Sequence, residues 1–138
     1  MRKILVPYDG SKPSLKALEY VVERTRRGEK LLVEVLFAMP LVIPVEFVSW
    51  DVVEQWQASE VKRVLGDARF EKLKNELNAR VHTVTGDPVE KIVAYAKKRH
   101  CREIVMGTRG MGRMKGLVMG SVATKVVQLT PLPVTLIK

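Results

Sequence analysis

The sequence predicts an α/β fold, a single open, doubly wound sheet of five parallel strands with helices on both faces. Three observations predict it. Short apolar runs alternate with longer amphipathic stretches along the whole chain. The run Leu31–Met39 is almost continuously apolar, as expected of a strand covered on both faces. Between the runs stand helix-entry and helix-exit residues, at Asp9-Gly10-Ser11, Gly28 and Asp87-Pro88. At 138 residues and 46% hydrophobic content, the chain suits a single domain over residues 1–138, with one core and no linker.

The first strand is expected over Lys3–Tyr8. Asp9-Gly10-Ser11 then turns the chain into a helix whose apolar positions Leu15, Leu18 and Val22 recur at spacings of three and four. Arg24, Arg26 and Arg27 suit its last turn, where the dipole favours cations, and Gly28 its C-terminal cap. Leu31–Met39 is the second strand, ended by Pro40 and Pro44. From about Asp51 to Asn78 helix formers return, as one long helix or two abutting ones broken near Gly66-Asp67.

Val81–Thr85 is the third strand. Asp87-Pro88-Val89-Glu90 combines a capping Asp, a Pro at the first helical position and an acid three residues after the cap. The helix it opens should bury Val89, Ile92, Val93 and Ala96. It ends in Lys97, Lys98, Arg99 and His100, a run that the helix dipole explains without a nucleic-acid partner. Glu103–Met106 is the fourth strand, Ser121–Leu129 the last helix and Leu132–Ile137 the fifth strand, with Pro131 and Pro133 marking its start at an edge.

The formal charge of +9, from 24 basic and 15 acidic side chains, permits attraction to any anion. Neither aromatic–basic interleaving nor helix-turn-helix spacing accompanies it, so nucleic acid is not an expected partner. The opening Met1–Pro7 has too short an apolar run for a signal peptide, and no stretch approaches the roughly 20 apolar residues that span a bilayer. A cytoplasmic protein with no membrane partner is expected. The lone Cys101, with only His82 and His100 beside it, gives no zinc-type ligand set. Cys101, His82, Trp50 and Trp56 read as packing or surface residues.

Sheets of this kind bind ligands beyond the carboxyl ends of their strands, where strand order reverses. Pro7, Tyr8 and Asp9, then Phe37, Ala38 and Met39, and the loop after the fourth strand all fall on that rim. The loop, Gly107–Ser121, is punctuated by glycines and runs into a helix. Glycines let backbone N–H groups approach an anion, and a helix N-terminus adds unpaired donors and a favourable dipole. From Ile104 to Lys138 there are five cationic side chains, Arg109, Arg113, Lys115, Lys125 and Lys138, and no Asp or Glu. The loop has no G-x-x-x-x-G-K-[ST], and Gly110-x-Gly112-x-x-x-Gly116 misses the dinucleotide spacing by one residue. Neither a P-loop NTPase nor a Rossmann dehydrogenase is supported.

What stands there instead is Gly107-x2-Gly110-x9-Gly120-Ser121, which resembles the nucleotide-binding signature of the universal stress protein family, in its ATP-binding branch. Four further blocks, in family order, carry the resemblance: Ile4-Leu5-Val6-Pro7-Tyr8-Asp9-Gly10-Ser11, Val84-Thr85-Gly86-Asp87-Pro88, Ile104–Gly110 and Pro131–Ile137. The resemblance implies a flavodoxin-like fold of the adenine nucleotide alpha hydrolase type. It also implies a homodimer joined through the last strand, residues 132–137, and a role as a small ATP-binding regulator of the stress response. Pro7 and Asp9 would lie at the nucleotide, Asp9 on its adenosine or Mg2+ side. The backbone at Ala38 would face the adenine edge, although Phe37-Ala38 departs from the His-Val type of pair common there. Gly107, Arg109 and Gly110 would line the ribose and phosphates. Gly120, Ser121 and Val122 would offer backbone amides to the phosphates, with Ser121 both capping the last helix and binding through its hydroxyl. Arg113 and Lys115 either contact the γ-phosphate or point into water. Beyond Asp9 no carboxylate, His or Cys is placed to orient water at a γ-phosphate, so any ATP hydrolysis is expected to be slow. The competing reading is a nucleotide-independent interaction module of the same family, against which the intact glycine set argues.

Overall fold

The computed structural model describes residues 1–40, 49–108 and 119–138. In chain order its elements are β1 (Arg2–Pro7), α1 (Lys12–Arg26), β2 (Leu31–Met39), α2 (Trp50–Leu65), α3 (Ala68–Leu77), β3 (Arg80–Thr85), α4 (Pro88–Lys98), β4 (Glu103–Gly107), α5 (Ser121–Leu129) and β5 (Val134–Ile137). The strands form one sheet in the order β3-β2-β1-β4-β5, and every pairing is parallel. From β1 the chain winds outward through β2 and β3, then crosses back to β4 on the other side. The order therefore reverses between β1 and β4.

Strand residues alternate between two cores because successive side chains point to opposite faces. Ile4, Val6, Val33, Val35 and Phe37 pack with Leu15, Leu18 and Val21 of α1, Val64 of α2 and Phe70 and Leu77 of α3. Leu5, Leu36, Ile104 and Met106 pack with Val89, Ile92 and Ala96 of α4 and Ala123 and Val126 of α5. Cys101 is buried in this second cluster, as expected of a residue between helix and strand.

Local sequence explains most helix boundaries. Ser11 caps α1 by accepting the Ser14 N–H at 3.3 Å, and Asp87 caps α4 by accepting the Glu90 N–H at 3.0 Å. The stretch from Trp50 to Leu77 is two helices, because Asp67 starts a new one by accepting the N–H groups of Arg69 and Phe70. Gly28 lies one residue past the Arg27 cap of α1, at φ +100°, a conformation few other residues adopt. The last strand begins at Val134, two residues later than the apolar run suggests, since Pro131 and Pro133 have no N–H to give a ladder. Among the described residues it pairs with β4 alone, as an edge strand.

Two buried carboxylates were not foreseen. Glu34 of β2, 2% exposed, accepts from the Tyr95 hydroxyl and from Arg99 Nη2 at 2.9 Å. Glu103, at the start of β4, accepts from Arg24 Nη1 at 2.8 Å and the Thr135 hydroxyl at 3.0 Å. Arg99 thus ends α4 as the partner of a buried acid rather than only as a dipole complement.

Candidate functional site

The carboxyl ends of β1 and β4 flank the point where strand order reverses. Ladder pairing between them ends at Leu5 opposite Ile104, while both strands run on to Pro7 and Gly107. Asp9 follows the first and Thr108 the second. The Thr108 N–H donates to the Ile137 carbonyl at 2.8 Å, and the Thr108 carbonyl accepts from the Gly120 N–H. That last bond brings the start of α5 against the end of β4, although Thr108 and Gly120 are 12 positions apart in sequence. Gly107, Thr108, Gly120 and Ser121 are thereby gathered at one place on the rim.

Gly120, not Ser121, is the N-cap of α5, at φ −74° and ψ 166° with no side-chain capping bond. This corrects the expectation that the Ser121 hydroxyl caps the helix. Ser121 is the first helical residue and is exposed, so its side chain lies beyond the position from which a hydroxyl caps. Among the described residues no capping side chain therefore serves the first turn, whose N–H groups have no partner within the helix. The turn holds no acid, and the dipole adds partial positive charge. The Gly120 dihedrals suit any residue, so backbone strain does not call for glycine there. The Val122 side chain is partly buried against the second core.

Asp9 is oriented by its neighbours. Its Oδ1 accepts from the Ser11 N–H at 2.9 Å and from the Ser14 hydroxyl at 3.0 Å. All its side-chain hydrogen bonds within the described residues fall on that oxygen, which leaves Oδ2 to other ligands. Asp9 therefore serves the turn and helix entry with one oxygen and holds the other ready. Gly10 completes the turn at φ +84°. Ser14 was missed in the sequence; the signal was its spacing of three from the capping Ser11.

Pro7 is buried at the end of β1, and Ala38 lies in β2 two residues past Leu36, the ladder partner of Pro7. Both sit on the rim. Arg109, Gly110, Arg113 and Lys115 lie outside the described residues. Two hydroxyls at the rim, those of Tyr8 and Thr108, are buried without a hydrogen-bond partner among the described residues. The Tyr8 ring stacks on Phe70 with centroids 4.3 Å apart. Burial, helped by the charges of Asp67 and Asp9, pushes its phenol up to about 12. Of the residues read as surface or packing groups, Trp50 and Trp56 are exposed on α2. His82 lies on β3 with Nε2 3.9 Å from Glu34. Among the described residues no group of three potential ligand side chains stands ready for a metal, and no helix is long and apolar enough to cross a membrane.

A doubly wound parallel sheet in this strand order, with an oriented carboxylate at its switch point, defines a flavodoxin-like α/β protein. The model of the universal stress protein family matches residues 1–138, and the chain belongs to that family. It is 30% identical over 142 residues to universal stress protein MJ0531 of Methanocaldococcus jannaschii, covering 99% of this chain and 82% of that one. Universal stress protein UspA from Lactobacillus plantarum superposes with a TM-score of 0.82 at 21% identity, over 99% of this chain and 97% of that one. The universal stress protein from Archaeoglobus fulgidus in complex with dAMP superposes with a TM-score of 0.63 at 24% identity, over 100% and 98%.

Proposed function

We propose that the protein binds an adenine nucleotide, ATP in the first instance, at the carboxyl rim between β1 and β4, and that occupancy tunes its role in a stress response. The observation that carries this reading is the start of α5, where Gly120 stands at the N-cap with no side-chain capping bond and its N–H donates to the Thr108 carbonyl at the end of β4. A dAMP complex in a protein of the same fold and family supports it. Within this reading Pro7 and Ala38 border the base and ribose, Gly107 and Thr108 floor the site, and the α5 amides take the phosphates. Arg109, Gly110, Arg113 and Lys115 belong to the same loop by sequence.

Magnesium fits the one unbonded oxygen of Asp9. A single protein carboxylate together with phosphate oxygens and water is the usual way Mg2+ is held, and the ion would screen phosphate charge. Asp9 holds its oxygen in place through Ser11 and Ser14; Asp67, the other carboxylate acting on Tyr8, is committed to capping α3. With no further acid or base assigned to a water, hydrolysis is slow at most. The edge strand β5 is the surface for a homodimer through residues 132–137, and the protein is a single cytoplasmic domain. Denaturing the purified protein and chromatographing what it releases tests the reading: bound ATP, ADP or AMP supports it. Failure of the stripped protein to take up any of the three overturns it in favour of an interaction module.

A further inference from the structure

The topology gathers cations at one edge of the sheet. All five strands run parallel, so their starts share the edge of the sheet opposite the nucleotide rim, and α1 and α4 end there because each leads into the next strand. Across the adjacent strands β2, β1 and β4 that edge carries Lys30, Arg2 and Arg102. The Arg2 N–H donates to the Lys30 carbonyl at 3.3 Å and the Arg102 N–H to the Lys3 carbonyl at 2.8 Å. Strand spacing of about 4.8 Å sets the row side by side. Arg27, past the end of α1, flanks it on one face of the sheet, and Lys97 and Lys98, ending α4, on the other. Lys3 Nζ ties the α4 end to β1 by donating to the Arg99 carbonyl at 3.0 Å. All six flanking and row cations are exposed, and Met1, Arg2 and Arg102 line an open cleft of about 440 Å³.

The acids nearby do not neutralise this edge. Glu23, Glu29, Glu34, Glu76 and Glu103 are each held by Arg24, Arg26 or Arg99. Among the described residues the six outer cations make one ion pair, Arg2 Nε to Glu103 at 3.7 Å. Helix dipoles account for Arg27, Lys97 and Lys98. They do not account for Lys30, Arg2 and Arg102, which stand at strand starts.

A two-sided belt of cations, five of the six without an ion pair among the described residues, suits a rigid, repeating polyanion that is held by its phosphates. The row carries no aromatic side chain on which an unpaired base could stack, which favours duplex over single strand. We infer that the amino edge of the sheet is a sequence-independent docking face for the phosphate backbone of duplex nucleic acid. This surface is invisible in the linear sequence, because its residues lie up to 100 positions apart and only the parallel topology brings Arg2 beside Arg102.

The test is fluorescence anisotropy with a labelled DNA duplex of about 20 base pairs, of arbitrary sequence. The expected result is binding that weakens about a hundredfold between 50 and 200 mM salt, as roughly four phosphate contacts require. The triple variant Arg2→Glu, Lys30→Glu, Arg102→Glu is expected to lose at least about tenfold in affinity, while Lys16→Glu, Lys62→Glu, Lys72→Glu, equal in net charge, changes little. Circular dichroism checks both folds, and Arg2→Gln, Lys30→Gln, Arg102→Gln carries the test if the first triple does not fold. No duplex binding at 50 mM salt overturns the inference. So do equal losses in both triples, or binding confined to vesicles of anionic phospholipid.

Discussion

Gly107 and Pro13 stand so close that a Cβ on the glycine would lie 2.6 Å from the Pro13 Cβ and 2.8 Å from its carbonyl carbon. The end of β4 is thus pressed against the first turn of α1, the turn that also orients Asp9. The first glycine of the nucleotide signature has a packing cause that needs no ligand. Gly107→Ala is expected to destabilise the protein by about 1–3 kcal/mol, since the obstacle is backbone and a ring rather than a mobile side-chain tip. Urea unfolding of nucleotide-free protein measures it.

Asp9 has two oxygens with different duties, and Asp9→Asn separates them. Asparagine keeps an acceptor for the Ser11 N–H and the Ser14 hydroxyl, so stability is expected to change by less than about 1 kcal/mol. Loss of the charge is expected to weaken MgATP binding about tenfold or more while leaving AMP without Mg2+ nearly unchanged. Titration calorimetry with both ligands decides it; equal losses for both would show that Asp9 does not act through the metal.

The Tyr8 hydroxyl is buried with no partner among the described residues. Removing an unsatisfied buried group while keeping the ring on Phe70 should help. Tyr8→Phe is expected to stabilise the unliganded protein by about 1 kcal/mol, read as a raised urea midpoint. A loss of stability would mean that the hydroxyl is satisfied in solution.

Glu34 and Arg99 give a pH dependence of defined sign. Burial pushes the Glu34 carboxyl up, and hydrogen bonds from Arg99 and Tyr95 more than reverse it, so it titrates below the usual carboxylate range. A lowered pKa means stability that is fully present above the unfolded value, about 4.3, and lost as the pH falls through the folded one. Arg99→Ala is expected to lower the urea midpoint at pH 7, because it leaves the buried Glu34 carboxylate without its guanidinium partner. The gap between variant and parent should narrow as the pH falls and the Glu34 carboxyl protonates.

Local chemistry made much of the fold legible. The Asp87-Pro88 start of α4, the run Leu31–Met39 and the break at Gly66-Asp67 all act over three or four residues, within reach of pattern reading. Glu34 was hidden because its partners lie 61 and 65 residues away, and β2 reads as buried and apolar around it. The rim residues Pro7, Asp9 and Gly107 could be named from strand ends alone, whereas the contact of Gly120 with Thr108 needs the closed loop. The N-cap of α5 was misplaced by one residue because a serine before an apolar run looks like a cap, and nothing local marks the glycine before it as already serving.

Whether the start of α5 holds the phosphates is tested most directly by calorimetric titration with ATP, with and without Mg2+, in the parent and in the Gly120→Val, Ser121→Leu double variant. The Gly120 dihedrals admit a side chain, and circular dichroism checks that the variant is folded. Binding in the parent and its loss in the folded variant is the predicted result. Equal binding in both would place the nucleotide elsewhere and contradict the account.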